Sequence, residues 1–333
     1  MSRGSWLGYR WGRHGLSGSL DGAARADLLF LGVQETRLGT AAQGLRRRGI
    51  SGAVGPDREL VALWSVRGAP HVHAREDLAD LRAAVVPGSP EVEAVASALR
   101  AVVDRPMGKG EASAAVTRRL PESAVSWCAS CKAAHVPDGV FRWAGCLAGL
   151  VLDTAAAGTV LLPGLDVPAC RAEPRAELVR AFFRANGPAS AAFVRERLGL
   201  DAVPELGEPL VPVSVDGVRS DLPESLVDAV HEAAPAEGVA LVPPGDPYPA
   251  DTNSGLLLPE KTWRQQLRRA VSPPGAVLAD GEVAGVWRYR RRERVVTVTA
   301  FEQVGRALRA GVEREAVAVA AAVGESEPTV EWA

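Results

Sequence analysis

The chain has 333 residues, 47% of them hydrophobic, with 38 Lys and Arg against 40 Asp and Glu. That is enough chain for two or three small domains around a real core, and a net charge of −2 does not by itself announce a nucleic-acid binder. No N-terminal apolar stretch resembles a signal peptide and no run is long enough to span a membrane, so the sequence predicts a cytoplasmic protein with reduced cysteines.

The distribution of charge says more than its sum. Residues 1–48 hold eight Arg against three acids, residues 201–260 twelve acids against one Arg, and residues 261–294 nine bases against three acids. A basic start and a basic end around an acidic middle can place positive surface on one face. Only three bases are Lys: Lys109, Lys132 and Lys261. A high-GC genome accounts for that bias, so function is argued only from where the arginines cluster.

Residues 5–48 read as helices with a break. Leu28, Leu29, Leu31 and Val33 give an apolar face, and Gly39 interrupts it. Gln34 and Thr36 stand here, separated by Glu35. The apolar, branched run Leu60 to Val66 suits a buried strand, which Arg67-Gly68 and Pro70 end. His71 and His73 are two apart, so in an extended segment both rings face the same side. Glu76-Asp77 suits the first turn of a helix, where acids meet the positive end of the dipole. Two readings of Trp64, Arg67, His71 and His73 stand side by side: a packed Trp, an ion-paired Arg and structural histidines, or a strand that delivers an Arg and two His to one site.

Residues 76–103 look helical, with a break at 86–90. Residues 111–150 hold a short Arg118-Arg119 segment, a Cys-containing turn and a helix through Leu150. Cys128-x-x-Cys131-x-x-x-His135 invites a structural zinc, with Cys146 as candidate fourth ligand. Buried reduced cysteines and a redox-sensitive pair compete with it, and the spacing of Cys146 fits no standard finger. No cofactor is therefore expected, with zinc kept as a candidate. Cys170 stands alone and is read as inert. Thr159 to Leu162 suits a strand.

Residues 175–200 are the clearest unit. Leu178, Val179, Phe182 and Phe183 make one helical face, Asn186-Gly187-Pro188 turns the chain, and Ser190 can cap a second helix. That is the core of a helix-turn-helix. The strand-like run 211–218, turning at Asp216-Gly217, would supply a wing. Val242 to Tyr248 is a rigid loop in which Asp246 either orients an arginine or serves only as linker. Residues 275–300 alternate as β-strands with a turn at Asp280-Gly281. Arg288, Arg290, Arg291, Arg292 and Arg294 cluster at a predicted hairpin tip, where arginines can meet phosphates or a narrow minor groove. Residues 303–323 form a final amphipathic helix, and the tail Glu325–Ala333 is expected to fray.

LGVQETRLGTA (31–41) followed by LVALWSVRGAPHVHAREDL (60–78) resembles the AlkZ/YcaQ family of winged-helix DNA glycosylases. WCASCKAAHVPDGVFRWAGCLAGL (127–150), RAELVRAFFRANGPASAAFVRERLGL (175–200), VALVPPGDPY (239–248) and PPGAVLADGEVAGVWRYRRRERVVTV (273–298) continue the likeness in order, over about residues 10–300. The resemblance implies an α/β chain of tandem winged-helix domains with a small C-terminal β-domain. The divisions are 1–80, 81–170, 171–240 and 241–333. It implies a monomer on double-stranded DNA, nucleoid-associated. The activity would be that of a monofunctional glycosylase releasing bulky or crosslinked alkylpurines and leaving an abasic site.

In that family the matching motif is Gln-x-Gln in one branch and Gln-x-Asp in the other, and its side chains address the N-glycosidic bond. This chain keeps Gln34 and departs at Thr36. An amide can hold a water by donating and accepting hydrogen bonds, and a carboxylate can deprotonate it or stabilise an oxocarbenium-like sugar. Thr36 can orient a water but is no base near neutral pH, and Glu35, the carboxylate present, points away from the line joining its neighbours. The plain alternative is that 34–36 is a polar helix end. The resemblance lines the damaged-base pocket with Trp64, Arg67, His71 and His73, with Arg67 on phosphate, a neutral His on sugar or base and Asp246 orienting an arginine. Arg264 and Arg268, with Lys261 and Arg269, extend the hairpin patch, and Arg195 and Arg197 lie on the recognition helix. Two rival functions remain. A non-catalytic DNA-binding paralogue, for damage shielding or regulation, is favoured by Thr36. A self-resistance protein would excise drug adducts or sequester the drug.

Overall fold

The computed structural model describes residues 1–333 apart from Ser19, Leu38, 251–254, Ala270 and Val323. Twelve α-helices and several small sheets are found among the described residues. Helices α1 (Arg3–Arg13) and α2 (Gly22–Leu31) start where Ser2 and Asp21 accept the N–H three residues on, which satisfies an otherwise orphaned donor. Then come β1 (Val33–Gln34), α3 (Thr40–Arg47), β2 (Leu60–Trp64) and β3 (Pro70–Ala74), with the sheet order β1-β3-β2. All five residues of β2 are buried, which is why that stretch is apolar without alternation.

Helices α4 (Leu78–Val85) and α5 (Pro90–Val102) follow, separated by the predicted break. Beyond them lie β4 (Met107–Gly108), α6 (Lys109–Thr117), β5 (Ser126–Cys128), β6 (Ala133–His135), α7 (Asp138–Leu147), β7 (Val151–Leu152) and β8 (Val160–Leu162). Strands β4, β8 and β7 form a second three-stranded sheet, while β5 and β6 pair only with each other.

The predicted helical pair is α8 (Pro174–Asn186) and α9 (Ala191–Leu198). Gly187, at φ 71°, ends α8, and the Ser190 hydroxyl accepts the Phe193 N–H. The hairpin of β9 (Leu210–Val215) and β10 (Val218–Pro223) turns at Asp216-Gly217, where both φ angles are positive, 44° and 85°. That twist matches the flanking strands. Ala189, in the helix-to-helix turn, bridges Asp221 of the hairpin. A short α10 (Val227–His231) leads to β11 (Val239–Val242), α11 (Lys261–Leu267), β12 (Gly275–Ala279), β13 (Glu282–Arg290), β14 (Val295–Ala300), α12 (Arg306–Ala321) and β15 (Thr329–Trp332). The sheet runs β11-β12-β13-β14-β15.

The C-terminal tail is a correction. It does not fray: β15 pairs parallel with β14, Val296 opposite Val330. Glu325 and Glu331 meet Arg291 and Arg290 at 2.8 and 2.7 Å, and the Ser326 hydroxyl accepts from Arg294 at 2.7 Å. The tail's short polar residues are partners for the arginine turn rather than solvated ends.

A large core runs from α1 through the two three-stranded sheets to α8, and a smaller one packs α12 on the C-terminal sheet through Leu241, Val277, Trp287 and Val312. Helix α1 ties these parts together. Trp6 Nε1 donates to the Asn186 carbonyl at 3.0 Å, Tyr9 to the Arg184 carbonyl at 2.8 Å, and the Arg10 guanidinium to the Tyr248 carbonyl at 2.6 Å.

Candidate active site

Register places Gln34 of β1 directly opposite His71 of β3, and opposite residues share a face. The loop 243–246 closes on that pair. Gly245 has φ +85°, and a Cβ there would come within 2.6 Å of Thr36 Cγ2 and 3.1 Å of the Gln34 carbonyl oxygen. Only glycine suits this position on both counts. Between loop and strand lies a cleft of about 270 Å³, lined by Gln34, Arg67, Phe193, Arg197, Gly245 and Arg268. Five segments separated in sequence build it. The Gln34 side chain is half-buried, and among the described residues it has no hydrogen-bond partner. Its amide is therefore available to whatever enters.

Its two neighbours in the motif are committed elsewhere. Glu35 Oε2 accepts the Ala41 N–H at 2.7 Å, and Oε1 accepts the Gly39 N–H. The carboxylate is the cap of α3, whose start at Gly39 offers no side chain of its own. Burial pushes its carboxyl up, and the two amides pull it back. Thr36 donates its hydroxyl to the Pro244 carbonyl at 3.1 Å, and Thr40 accepts the Thr36 N–H at 3.1 Å. In this arrangement the Thr36 hydroxyl proton holds the loop, which leaves its oxygen as an acceptor.

Behind the cleft lies a relay that sequence reasoning missed. Ser65, fully buried after β2, lies 2.8 Å from His73 Nε2 and 3.2 Å from His71 Nδ1. His73 Nδ1 donates to the Leu29 carbonyl at 2.9 Å. Its Nε2 must then accept the Ser65 hydroxyl proton, and the Ser65 oxygen accepts from His71 Nδ1, which also reaches the Ala69 carbonyl at 3.0 Å. This assignment leaves His71 Nε2 as an acceptor. Burial lowers both rings, His73 to about 4 and His71 well below its ordinary value, the latter also through His73 itself. Both are neutral at physiological pH. His71 borders a small cavity of about 30 Å³ that it shares with Arg197 and Pro247. For Ser65 itself the sequence signal was its place at the end of an apolar run.

Arg67 stands at the cleft mouth in left-handed backbone, φ 57° and ψ 22°, a strained state for a long side chain that is a mark of functional positions. The recess lowers its pKa by desolvation, with Glu196 opposing. Trp64 is not a pocket residue. It is buried edge-on to Phe141 at 5.9 Å, under Gly145, where a Cβ would come within 2.8 Å of the ring.

The sequence profile described as DNA glycosylase AlkZ-like matches residues 35–322. The chain belongs to the AlkZ-like DNA glycosylase family. The solved structure of Streptomyces sahachiroi DNA glycosylase AlkZ matches with a TM-score of 0.71 and 19% identity, over 100% of both chains. At that identity the likeness concerns the fold. No curated protein matches in sequence.

In this AlkZ-like chain the predicted DNA contacts separate into groups. Arg197 and Arg268 line the cleft, on opposite walls from α9 and the end of α11. Arg195 points away and donates to the Asp201 carbonyl. Arg264 folds back onto the Leu258 carbonyl at 2.7 Å. Asp246 does orient an arginine, but a buried one: its oxygens take Arg48 at 2.7 and 2.8 Å, both side chains fully buried. Of the hairpin arginines, Arg290, Arg291 and Arg294 pair with the C-terminal tail, and these three and Arg292 are all exposed. Arg288, Arg290 and Arg291 line a second cleft of about 480 Å³ together with Arg37 and Arg46, the last two not singled out from the sequence. Pro273 and Pro274 line both clefts, so the two adjoin.

Cys128, Cys131 and His135 also converge, with ligand atoms within 4.8 Å of one another. Cys146 does not join them. It is buried in α7, where desolvation pushes its thiol up to about 12.

Proposed function

We propose that this chain is a monofunctional DNA glycosylase that hydrolyses the N-glycosidic bond of bulky or crosslinked alkylpurines in duplex DNA. The observation that carries the reading is the unengaged Gln34 amide in a cleft whose rim is arginine. N-alkylation gives the purine a positive charge, so it departs as a neutral base when the bond breaks. The protein must then position a water and stabilise the sugar cation, worth several kcal/mol of barrier in sites of this kind. Gln34 can accept a hydrogen bond from that water while donating one to a sugar oxygen, and the water's proton passes to solvent as the new C–O bond forms and the neutral base leaves. A neutral His71 nearby adds no positive charge against the oxocarbenium ion. Arg67, Arg197 and Arg268 supply phosphate contacts, so binding should weaken steeply with salt. None of Lys109, Lys132 and Lys261 lines the cleft, which supports water rather than an amine as nucleophile and hence an abasic product.

The helix-turn-helix α8–α9 with its hairpin supports the tandem winged-helix reading, with α9 turned to DNA through Arg197. A second reading, a DNA-binding paralogue without catalysis, has a specific observation behind it: Glu35 and Thr36 are both spent on backbone groups. Incubation with duplex DNA carrying an N7-alkylguanine or a nitrogen-mustard crosslink separates the two. Release of free base with an alkali-labile abasic strand is expected. Salt-dependent binding without release of either lesion would favour the binder.

A further inference from the structure

The hairpin of β5 and β6 has little to hold it. Among the described residues, three residue pairs join its strands, it pairs with no other sheet, and α6 lies beside β6. Most of its residues are exposed, Trp127 at 69%. A two-stranded hairpin without a covered face is marginal in water, and small units of this kind rely on a staple. Cys128, Cys131 and His135 sit at its tip and along its return strand, with their ligand atoms within 4.8 Å of one another.

The details match what a thiophilic cation requires. Lys132, just after the second cysteine, is held at φ 52°, a left-handed turn that a lysine adopts only at a cost. The tight turn brings the Cys128 and Cys131 sulfurs within 4.8 Å of each other. Ser130 Oγ lies 3.1 Å from the Cys128 sulfur and 4.0 Å from that of Cys131. His135 Nδ1 lies 2.7 Å from the Val136 carbonyl, which fixes the tautomer with Nε2 as lone-pair donor. That Nε2 is buried and has no hydrogen-bond partner. A buried acceptor without a partner, beside two thiols, is the feature that a hydrogen-bonded surface turn would lack.

We infer that Cys128, Cys131 and His135 form a zinc site that staples the β5–β6 hairpin and fixes Trp127 on its outer face. Two thiolates and one imidazole nitrogen suit Zn²⁺, and the fourth tetrahedral position falls to solvent at the exposed Cys131 side. The inference does not depend on the glycosylase reading.

Metal analysis of the full chain, purified without chelator from zinc-supplemented cells, tests this. About one zinc per chain is expected, together with the intense visible bands of tetrahedral thiolate-bound Co²⁺ after exchange. Cys128→Ser and Cys131→Ser should abolish both signals and His135→Ala should weaken them, while Cys146→Ala and Cys170→Ser retain them. Circular dichroism establishes that the silent variants are folded, and the Co²⁺ spectrum of the unaltered chain needs no variant at all. Absence of zinc and of Co²⁺ bands in the unaltered chain would overturn the inference. So would metal retained by the double Cys128→Ser, Cys131→Ser variant, or a Cys128–Cys131 disulfide in anaerobically purified protein.

Discussion

Glu35 stands between Gln34 and Thr36, yet both its oxygens accept backbone N–H groups at the start of α3. Glu35→Ala should therefore cost about 1 kcal/mol as a lost cap and leave base release within a few-fold. Urea unfolding and single-turnover excision measure the two effects separately, and a collapse of excision with unchanged stability would make Glu35 catalytic instead. The histidine relay carries a pH signature. His73 is lowered from 6.5 to about 4 by burial, so between those values the unfolded chain takes up a proton that the folded chain refuses. Stability is full above the unfolded value and falls as pH drops towards the folded one. Going from about pH 7.5 to about pH 5 should remove about 2 kcal/mol through His73 alone, with His71 acting in the same direction. His73→Gln should flatten the slope of stability against pH, and an unchanged slope would refute the relay as described.

At the scale of elements, the local signals were readable and the long-range ones were not. The α8–α9 turn, the Asp216-Gly217 and Asp280-Gly281 hairpins and the buried β2 strand were legible because apolar period and turn residues are short-range features. Ser65 was not, because it joins His71 to His73 only once β2 and β3 are in register. The partners of the arginine turn were illegible for the same reason. Counting charge at 288–294 cannot reveal that Glu325, Ser326 and Glu331 come back to meet it. The distinction is testable through salt dependence. Arg197→Ala and Arg268→Ala should each weaken DNA binding and reduce the log–log salt slope by about one. Arg290→Ala and Arg291→Ala should leave that slope unchanged and instead loosen β15, seen as faster amide exchange at 329–332. A reversal of this pattern would return the hairpin to the DNA.

Across the whole molecule, the cleft exists because α3 and the 243–248 loop are clamped by a buried ion pair. Arg48 and Asp246 are both fully buried, and Asp246 also accepts the Tyr248 N–H at 3.0 Å. Asp246→Ala would leave Arg48 buried without its charge partner, at a cost of about 3–5 kcal/mol, read by thermal or urea unfolding. A loss well below that range would mean that the clamp is not what holds the loop over Gln34. Family membership was legible from segments spread along the chain. The cleft itself was only partly so: Gln34, Arg67 and Arg197 were named from sequence, but their meeting depends on Gly245 approaching β1, a contact more than 200 residues away in sequence.

The measurement that tests the account most directly compares the unaltered chain with Gln34→Ala. Enzyme is held in excess over duplex DNA carrying a single N7-alkylguanine, with free base quantified by mass spectrometry and DNA affinity measured in parallel. Among the described residues the Gln34 amide has no hydrogen-bond partner, so the account predicts unchanged affinity and a rate at least about 100-fold lower. Equal rates for the two proteins would contradict it, because base release would then not run through Gln34.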